Sequence, residues 1–341
     1  MRPVTDSTAE ARPTSLTERL DRFQRRRPAV GYPLAVVYKF VDDQGGYLAA
    51  LIAYYAFVSL FPLLLLFSTT LGIVLAGNPD LQQRILDSAM SQIPLIGDQL
   101  GQPDRLSGGV GAIVIGVVGS LYGGLGVAVA AQNAMNVAWA VPKNERPDPI
   151  TARIRGFGLL VTVGTAVIGV TVLNGFNAAG FFGSVAQVFV VIAAVVLNTA
   201  TFVVAFRLGT TRPVTVRDVL PGAALAGVLW QVLQSFGGYY VQTVVGGADT
   251  TNGVFAIVLG LLAFLYIAAL VVVLCIEVNV VRVDTLHPRA LLTPFTDNVE
   301  LTDGDRDAYT AQAEAQRSKG FEEIDVSFRE PDSSPTPEPG P

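Results

Sequence analysis

Charge is scarce through the middle of this chain. Only 15% of the 341 residues are Asp, Glu, Lys or Arg, and 51% are hydrophobic. An average soluble domain carries roughly a quarter charged residues, so a water-soluble fold of this length could not cover its surface. The 23 Lys and Arg residues stay out of the centres of six long apolar stretches. A charge at mid-bilayer costs about 2.5–3.5 kcal/mol on insertion scales, so such stretches mark lipid-exposed helix. Cysteine is nearly absent: Cys275 stands alone within an apolar run and can form no internal disulfide. Histidine is equally scarce. His287 stands alone beside Pro288, so no Cys/His grouping resembles a metal site, and no cofactor is called for. No apolar core of a cleavable signal precedes Gly46, so the first span is expected to serve as an uncleaved signal anchor.

What is present is helix-length hydrophobicity. The apolar stretches run over about 46–76, 109–141, 154–176, 185–208, 219–245 and 253–281. Each exceeds the roughly 20 residues that cross a hydrocarbon core, and none shows the short alternation of barrel strands. The fold class expected is therefore an all-α membrane protein with six transmembrane helices. Three parts follow: a basic N-terminal segment (1–45), a six-helix domain (46–281) and an acidic, Pro-rich tail (282–341). Pro62 is expected to kink the first span, with Ser59 helping to satisfy the freed Val58 carbonyl.

Orientation follows from the loops rather than from the net charge of −5, because the acids crowd the tail. Arg19, Arg22, Arg25, Arg26, Arg27 and Lys39 precede the first span. Lys143, Arg146, Arg153 and Arg155 stand between the second and third, and Arg207, Arg212 and Arg217 between the fourth and fifth. These segments face the cytoplasm on the positive-inside rule, which puts both termini inside a bacterial cytoplasmic membrane.

Flanking amphipathic helices are expected at two places. In Ser15–Arg27, Ser15 and Glu18 have capping-box spacing and Leu16, Leu20 and Phe23 recur beneath a basic face, as in a helix on an anionic inner leaflet. Around 80–95, Leu81, Ile85, Ala89 and Ile93 recur at i+4, which suggests an external helix. Beyond Pro294 the composition predicts mostly disorder. The partners expected are the lipid bilayer and anionic inner-leaflet lipids, with a homo-oligomer left open and no nucleic acid.

Three segments resemble the YihY/BrkB family of inner-membrane proteins. LAALIAYYAFVSLFPLLLL in the first span is similar to its alanine-rich opening with an aromatic pair and Ser-x-x-Pro, here Ser59 and Pro62. PGAALAGVLWQVLQSFGGYYV resembles its Pro-Gly-Ala start and central Trp, here Pro221, Gly222, Ala223 and Trp230. The sixth span matches an aromatic pair followed by Glu-x-Asn through Tyr266, Glu277 and Asn279, with Phe264 in place of the usual Trp and Cys275-Ile276 in place of Gly-Ala. The resemblance implies a six-helix inner-membrane fold. Members have carried ribonuclease, virulence and transport labels; the ribonuclease label is a mislabelling as far as these residues go, since clustered metal ligands are missing.

Chemistry within the spans rests on few residues. Glu277 is the one carboxylate inside a span, and such groups are functional candidates by default. It lies about one turn from the cytoplasmic end, where a structural clamp to Arg155, Arg207 or Arg282 competes with ion coupling. Gln132, Asn133 and Asn136 share one helix face, Tyr55 and Ser59 another, and Gln231, Gln234 and Asn279 add to them. Converging faces would line a polar path; separate ones would be interhelical hydrogen bonds. Asn174, Asn177, Asn198 and Thr199 belong to the same question. Gly119 and Gly123 form a GxxxG, and Gly222 with Ala226 a small-xxx-small pair, both marks of close helix contact. No catalytic residues are assigned, and the chain reads as no enzyme. The functions weighed are translocation or export of a small molecule or lipid, then a non-transporting envelope scaffold that recruits partners, and last a membrane enzyme.

Overall fold

The computed structural model describes residues 16–74, 110–178, 184–240, 250–296 and 299–329. Among them every regular element is helical. Two short helices come first, α1 (Leu16–Arg26) and α2 (Pro28–Asp42). Six long ones follow: α3 (Gly45–Val74), α4 (Val110–Ala138), α5 (Pro149–Ala178), α6 (Ser184–Gly209), α7 (Val216–Tyr240) and α8 (Thr250–Val283). The last is α9 (Asp303–Glu314).

Four of these are long and apolar enough to cross a membrane, within Ile113–Ala138, Phe189–Gly209, Val216–Gln234 and Val258–Val283, and Gly45–Leu60 is a shorter apolar helix. A third or less of each of the four is buried. Leu51, Tyr54, Val118, Phe157, Val196 and Leu259 all stand exposed. Alanines such as Ala49, Ala53, Ala134, Ala223 and Ala226 recur in the interior beside Trp139, Phe206 and Ile276. An apolar outside with small residues recurring inside is the arrangement for hydrocarbon, where close backbone packing replaces the hydrophobic effect as the adhesive.

Each long helix packs on its neighbours in chain order, and α8 closes the ring against α3. The glycine face of α4 lets α3 approach closely. A Cβ on Gly119 would come within 2.7 Å of Pro62, one on Gly123 within 2.6 Å of the Ser59 Cα, and one on Gly126 would overlap the Tyr55 ring. Pro62, Ser59 and Tyr55 are thus the receiving face of the GxxxG. The Ser59 hydroxyl donates to the Ala56 carbonyl at 2.9 Å rather than to Val58.

Boundaries moved where caps decide them. The helix α5 starts at Pro149 because Asp148 accepts from the Ile150 and Thr151 backbone N–H groups at 2.9 and 3.1 Å, leaving proline in the first turn where it loses nothing. The helix α4 stops at Ala138, and Ala140 then takes a φ of 49°. Two expectations need correction. The N-terminal segment is more than a surface helix, since α2 buries Gly31, Ala35, Val36, Tyr38 and Lys39 and packs on α8. The acidic tail is not disordered across its length either: Thr302 and Asp305 form a reciprocal capping box that starts α9, with Asp305 and Ala308 buried. The external helix around 80–95, the Ser15–Glu18 capping box and the last residues of the tail lie outside the described residues.

A buried charge cluster as the candidate functional site

Antiparallel alternation brings the start of α3, α5 and α7 and the end of α4, α6 and α8 to one end of the ring, with α2 and α9 on top. Ionisable side chains are buried there. Lys39, on the last turn of α2, ion-pairs with Asp43 one turn later and donates to the Ala138 carbonyl at 3.1 Å. Its ammonium also lies 3.9 Å from Glu277 Oε2 on α8. Glu277 is 0% exposed; no N–H or hydroxyl donor reaches its carboxylate oxygens, and the Asp43 carboxyl lies within hydrogen-bond reach of it. One cation is thus shared between two acids.

A second ionic group adjoins through the Asp42–Asp43 peptide. Arg289, fully buried, donates through Nε to Asp305 Oδ1 at 2.5 Å and through Nη2 to Asp42 Oδ2 at 2.9 Å, with its guanidinium 5.3 Å from the Tyr309 ring centroid. The Gln312 amide donates to the Asp42 carbonyl at 2.7 Å, and the Gln24 amide to the Arg289 carbonyl at 2.6 Å. The helices α1 and α9 therefore meet over the cluster. Further out, Arg212 pairs with Asp284 through both guanidinium nitrogens, at 2.6 and 2.8 Å, and Arg317 reaches Glu145 at 2.5 Å.

Electrostatics follow from this crowding. Burial disfavours the Lys39 charge, but Glu277 and Asp43 outweigh it and hold its pKa above the ordinary lysine value. Burial pushes the Asp43 carboxyl upward, against the pull of Lys39. Arg289 is likewise held above its usual value, because Asp305 and Asp42 overcome desolvation.

The three amides of α4 go to separate partners. Gln132 donates to the Ala152 carbonyl at 3.0 Å and ties α4 to α5. Asn133 accepts from Arg146 at 3.3 Å. Asn136 accepts from the Thr211 backbone N–H at 3.0 Å and from the Thr210 hydroxyl at 3.2 Å, closing the turn after α6. Gln231 and Gln234 are half-buried on α7. Trp230 meets Phe202 edge-on at 6.5 Å, and Thr199 is the close neighbour of Gly227. Asn174 and Asn177 carry side chains outside the described residues.

Asn279 has a specific task. Pro221 interrupts the donors in α7, and the next N–H, that of Gly222, is taken by Asn279 Oδ1 at 2.7 Å. Any Cβ on Gly222 would overlap the Cys275 carbonyl, so the glycine lets α8 lie directly on α7. Tyr266 faces Gly46 and helps line a recess of about 530 Å³ with Phe40, Val41, Tyr47 and Ala50.

Glu277 was legible in the sequence, but its partner was not. The expected clamp to Arg155, Arg207 or Arg282 is corrected: Arg282 donates to the Arg217 carbonyl and Arg207 to the Val214 carbonyl, while Lys39 is the cation that Glu277 meets. Lys39 reads from sequence as a loop charge and Asp305 as a tail acid, and Asp42, Asp43 and Arg289 are not singled out there. Two local signals were available, the i,i+4 spacing of Lys39 with Asp43 and the capping-box spacing of Thr302 with Asp305.

Residues 36–294 match the family model described as Virulence factor BrkB. No curated protein and no solved structure matches the chain.

Proposed function

The chain belongs to the virulence factor BrkB family, and from that membership and the buried cluster we propose a six-span protein of the bacterial cytoplasmic membrane, both termini inside, that translocates a small molecule or lipid. Its membership and apolar helices make it an integral membrane protein, and the family is not known as one of enzymes. The translocation reading goes beyond both.

One observation carries it. A carboxylate fully buried at the end of a helical ring, crowded by a second carboxyl and reached by one ammonium at 3.9 Å, is expensive to keep, since an unmet buried acceptor costs about 1–3 kcal/mol and a charged one more. A clamp built only for stability would supply donors. Glu277 instead shares Lys39 with Asp43, which leaves one negative charge in excess and a place for one proton. With Glu277 protonated, Lys39 belongs wholly to Asp43, and the electrostatic tie between α8 and α2 is lost. Proton binding would thereby loosen this end of the ring. In this scheme Gln132 ties α4 to α5, while Asn133 and Asn136 hold the segments after α4 and α6.

The scaffold alternative has less support up to residue 329. The chain after α9 returns to the α4–α5 loop through Lys143 N–H to the Ala315 carbonyl and Asn144 N–H to the Arg317 carbonyl, both 3.1 Å, so that stretch covers the bundle.

Glu277→Gln tests the reading. Cells making wild-type protein, the variant or neither are compared for compounds retained and released across a range of external pH, and reconstituted protein is assayed for flipping of a fluorescent phosphatidylglycerol. Transport that responds to pH in wild type and not in a normally inserted E277Q is expected. Identical profiles for all three would end the proposal.

A further inference from the structure

Amphipathic helices of water-soluble folds turn their apolar side inward. The helix α1 does the reverse. Leu16, Leu20 and Phe23 stand 77%, 55% and 47% exposed, whereas the polar side is docked. Gln24 is buried and donates to the Arg289 carbonyl at 2.6 Å, and Asp21 accepts from the Leu291 N–H at 2.7 Å. At 100° per residue the three apolar side chains fall in a stripe about 60° wide, with Arg19 and Arg26 along one border. The Arg27 guanidinium lies over the Phe23 ring at 4.9 Å.

The helix α2 carries an outward stripe of its own, Val30, Val37 and Val41, opposite the face it packs on α8. At 1.5 Å per residue its 15 residues reach about 22 Å, short of the roughly 30 Å hydrocarbon core. Val41 also belongs to the wall of the 530 Å³ recess, where exposed Tyr47 begins the apolar outer face of α3. The stripe is therefore continuous with the surface that the spans turn to lipid.

We infer that α1 and the outer stripe of α2 form a ledge seated at the headgroup–acyl boundary of an anionic leaflet. Leu16, Leu20 and Phe23 enter the acyl region, and Arg19, Arg26 and Arg27 sit among the phosphates. Charge complementarity selects this occupant. Leu16–Arg27 holds five arginines against Glu18 and Asp21, a net of three positive charges. Because Asp21 and Gln24 grip the segment around Arg289, whose guanidinium holds Asp42 and Asp305, the seating of α1 in the leaflet is coupled to the ionic group that adjoins Lys39 and Glu277.

The test uses the full chain in nanodiscs of phosphatidylcholine, alone or mixed with phosphatidylglycerol. In a Cys275→Ala background an environment-sensitive fluorophore is placed at Leu20→Cys, with exposed Lys319→Cys as the aqueous reference. Blue-shifted emission at position 20, quenched by lipids carrying a shallow nitroxide and strengthened by phosphatidylglycerol, is expected. Replacing Arg19, Arg26 and Arg27 by Gln should weaken the anionic preference by roughly fivefold per charge. Arg19→Gln alone serves if the triple variant folds poorly. Water-like emission in both bilayers overturns the ledge. Burial indifferent to phosphatidylglycerol and to the arginines overturns the anionic partner. A disulfide-linked Leu20→Cys dimer shielded from nitroxide lipid assigns the face to a second copy and overturns the proposal.

Discussion

Lys39 decides more at this end of the ring than any other single residue, because three partners converge on one ammonium. Removing it leaves Asp43 and Glu277 buried without a cation, a loss of about 3–5 kcal/mol on the scale of broken buried pairs. Lys39→Met should therefore lower the thermal midpoint in detergent sharply, and pairing it with Glu277→Gln should recover part of the loss. Equal midpoints for Lys39→Met and wild type would count against the ion pairing. The direction with pH follows from the same contacts. The folded chain holds the Lys39 proton more tightly than the unfolded one, so this contribution is complete below the ordinary lysine pKa of about 10.4 and fades as pH rises through the raised value. A thermal midpoint that falls above that point in wild type, and falls less in Lys39→Met, is the expected record. Glu277 announced itself as a lone acid in an apolar run; Lys39, 238 positions away, could not, since no local pattern reports distance across a ring.

Helix contacts were read more fully than charges. Gly119 and Gly123 were legible as a packing motif and Ser59, Pro62 and Tyr55 as a motif on another helix, and the two prove to be one interface. Its tightness makes Gly123→Leu an overpacked seam, expected to cost about 1–3 kcal/mol and to lower folded yield. Unchanged yield and melting in detergent would argue against the contact. The tail shows the opposite case. Its composition resembles that of unfolded segments, yet the Thr302–Asp305 box and the docking of Asp305 on Arg289 give α9 an external reason to fold. Thr302→Ala removes both the cap and a hydroxyl that donates to the Pro288 carbonyl at 2.7 Å, an expected loss of about 0.5–2 kcal/mol. Limited proteolysis should then cut within 303–314 sooner than in wild type; an unchanged cleavage pattern would leave α9 without need of its cap.

For the molecule as a whole, closure of α8 on α3 turns a linear string of helices into a ring, and the two ends of the described chain lock that ring at one side. Orientation is the testable consequence. In a Cys275→Ala background, Asn144→Cys in sealed cells should resist an impermeant maleimide until the membrane is opened, whereas Asp249→Cys should react at once. The reverse labelling would invert the topology and move the charge cluster to the outer face.

The chain's own order of residues determined its solvent, its helices and the faces on which small side chains recur, because helix formation and hydrocarbon burial depend on neighbours within a few turns. The family resemblance rests on those same local segments. Only the tertiary structure decided which cation met Glu277, that Asn279 would serve the N–H beside Pro221, and that α1 and α9 would converge on Arg289. Those pairings join residues distant in sequence, and an ionic contact in a low dielectric is set by ångströms of separation that ring closure alone establishes.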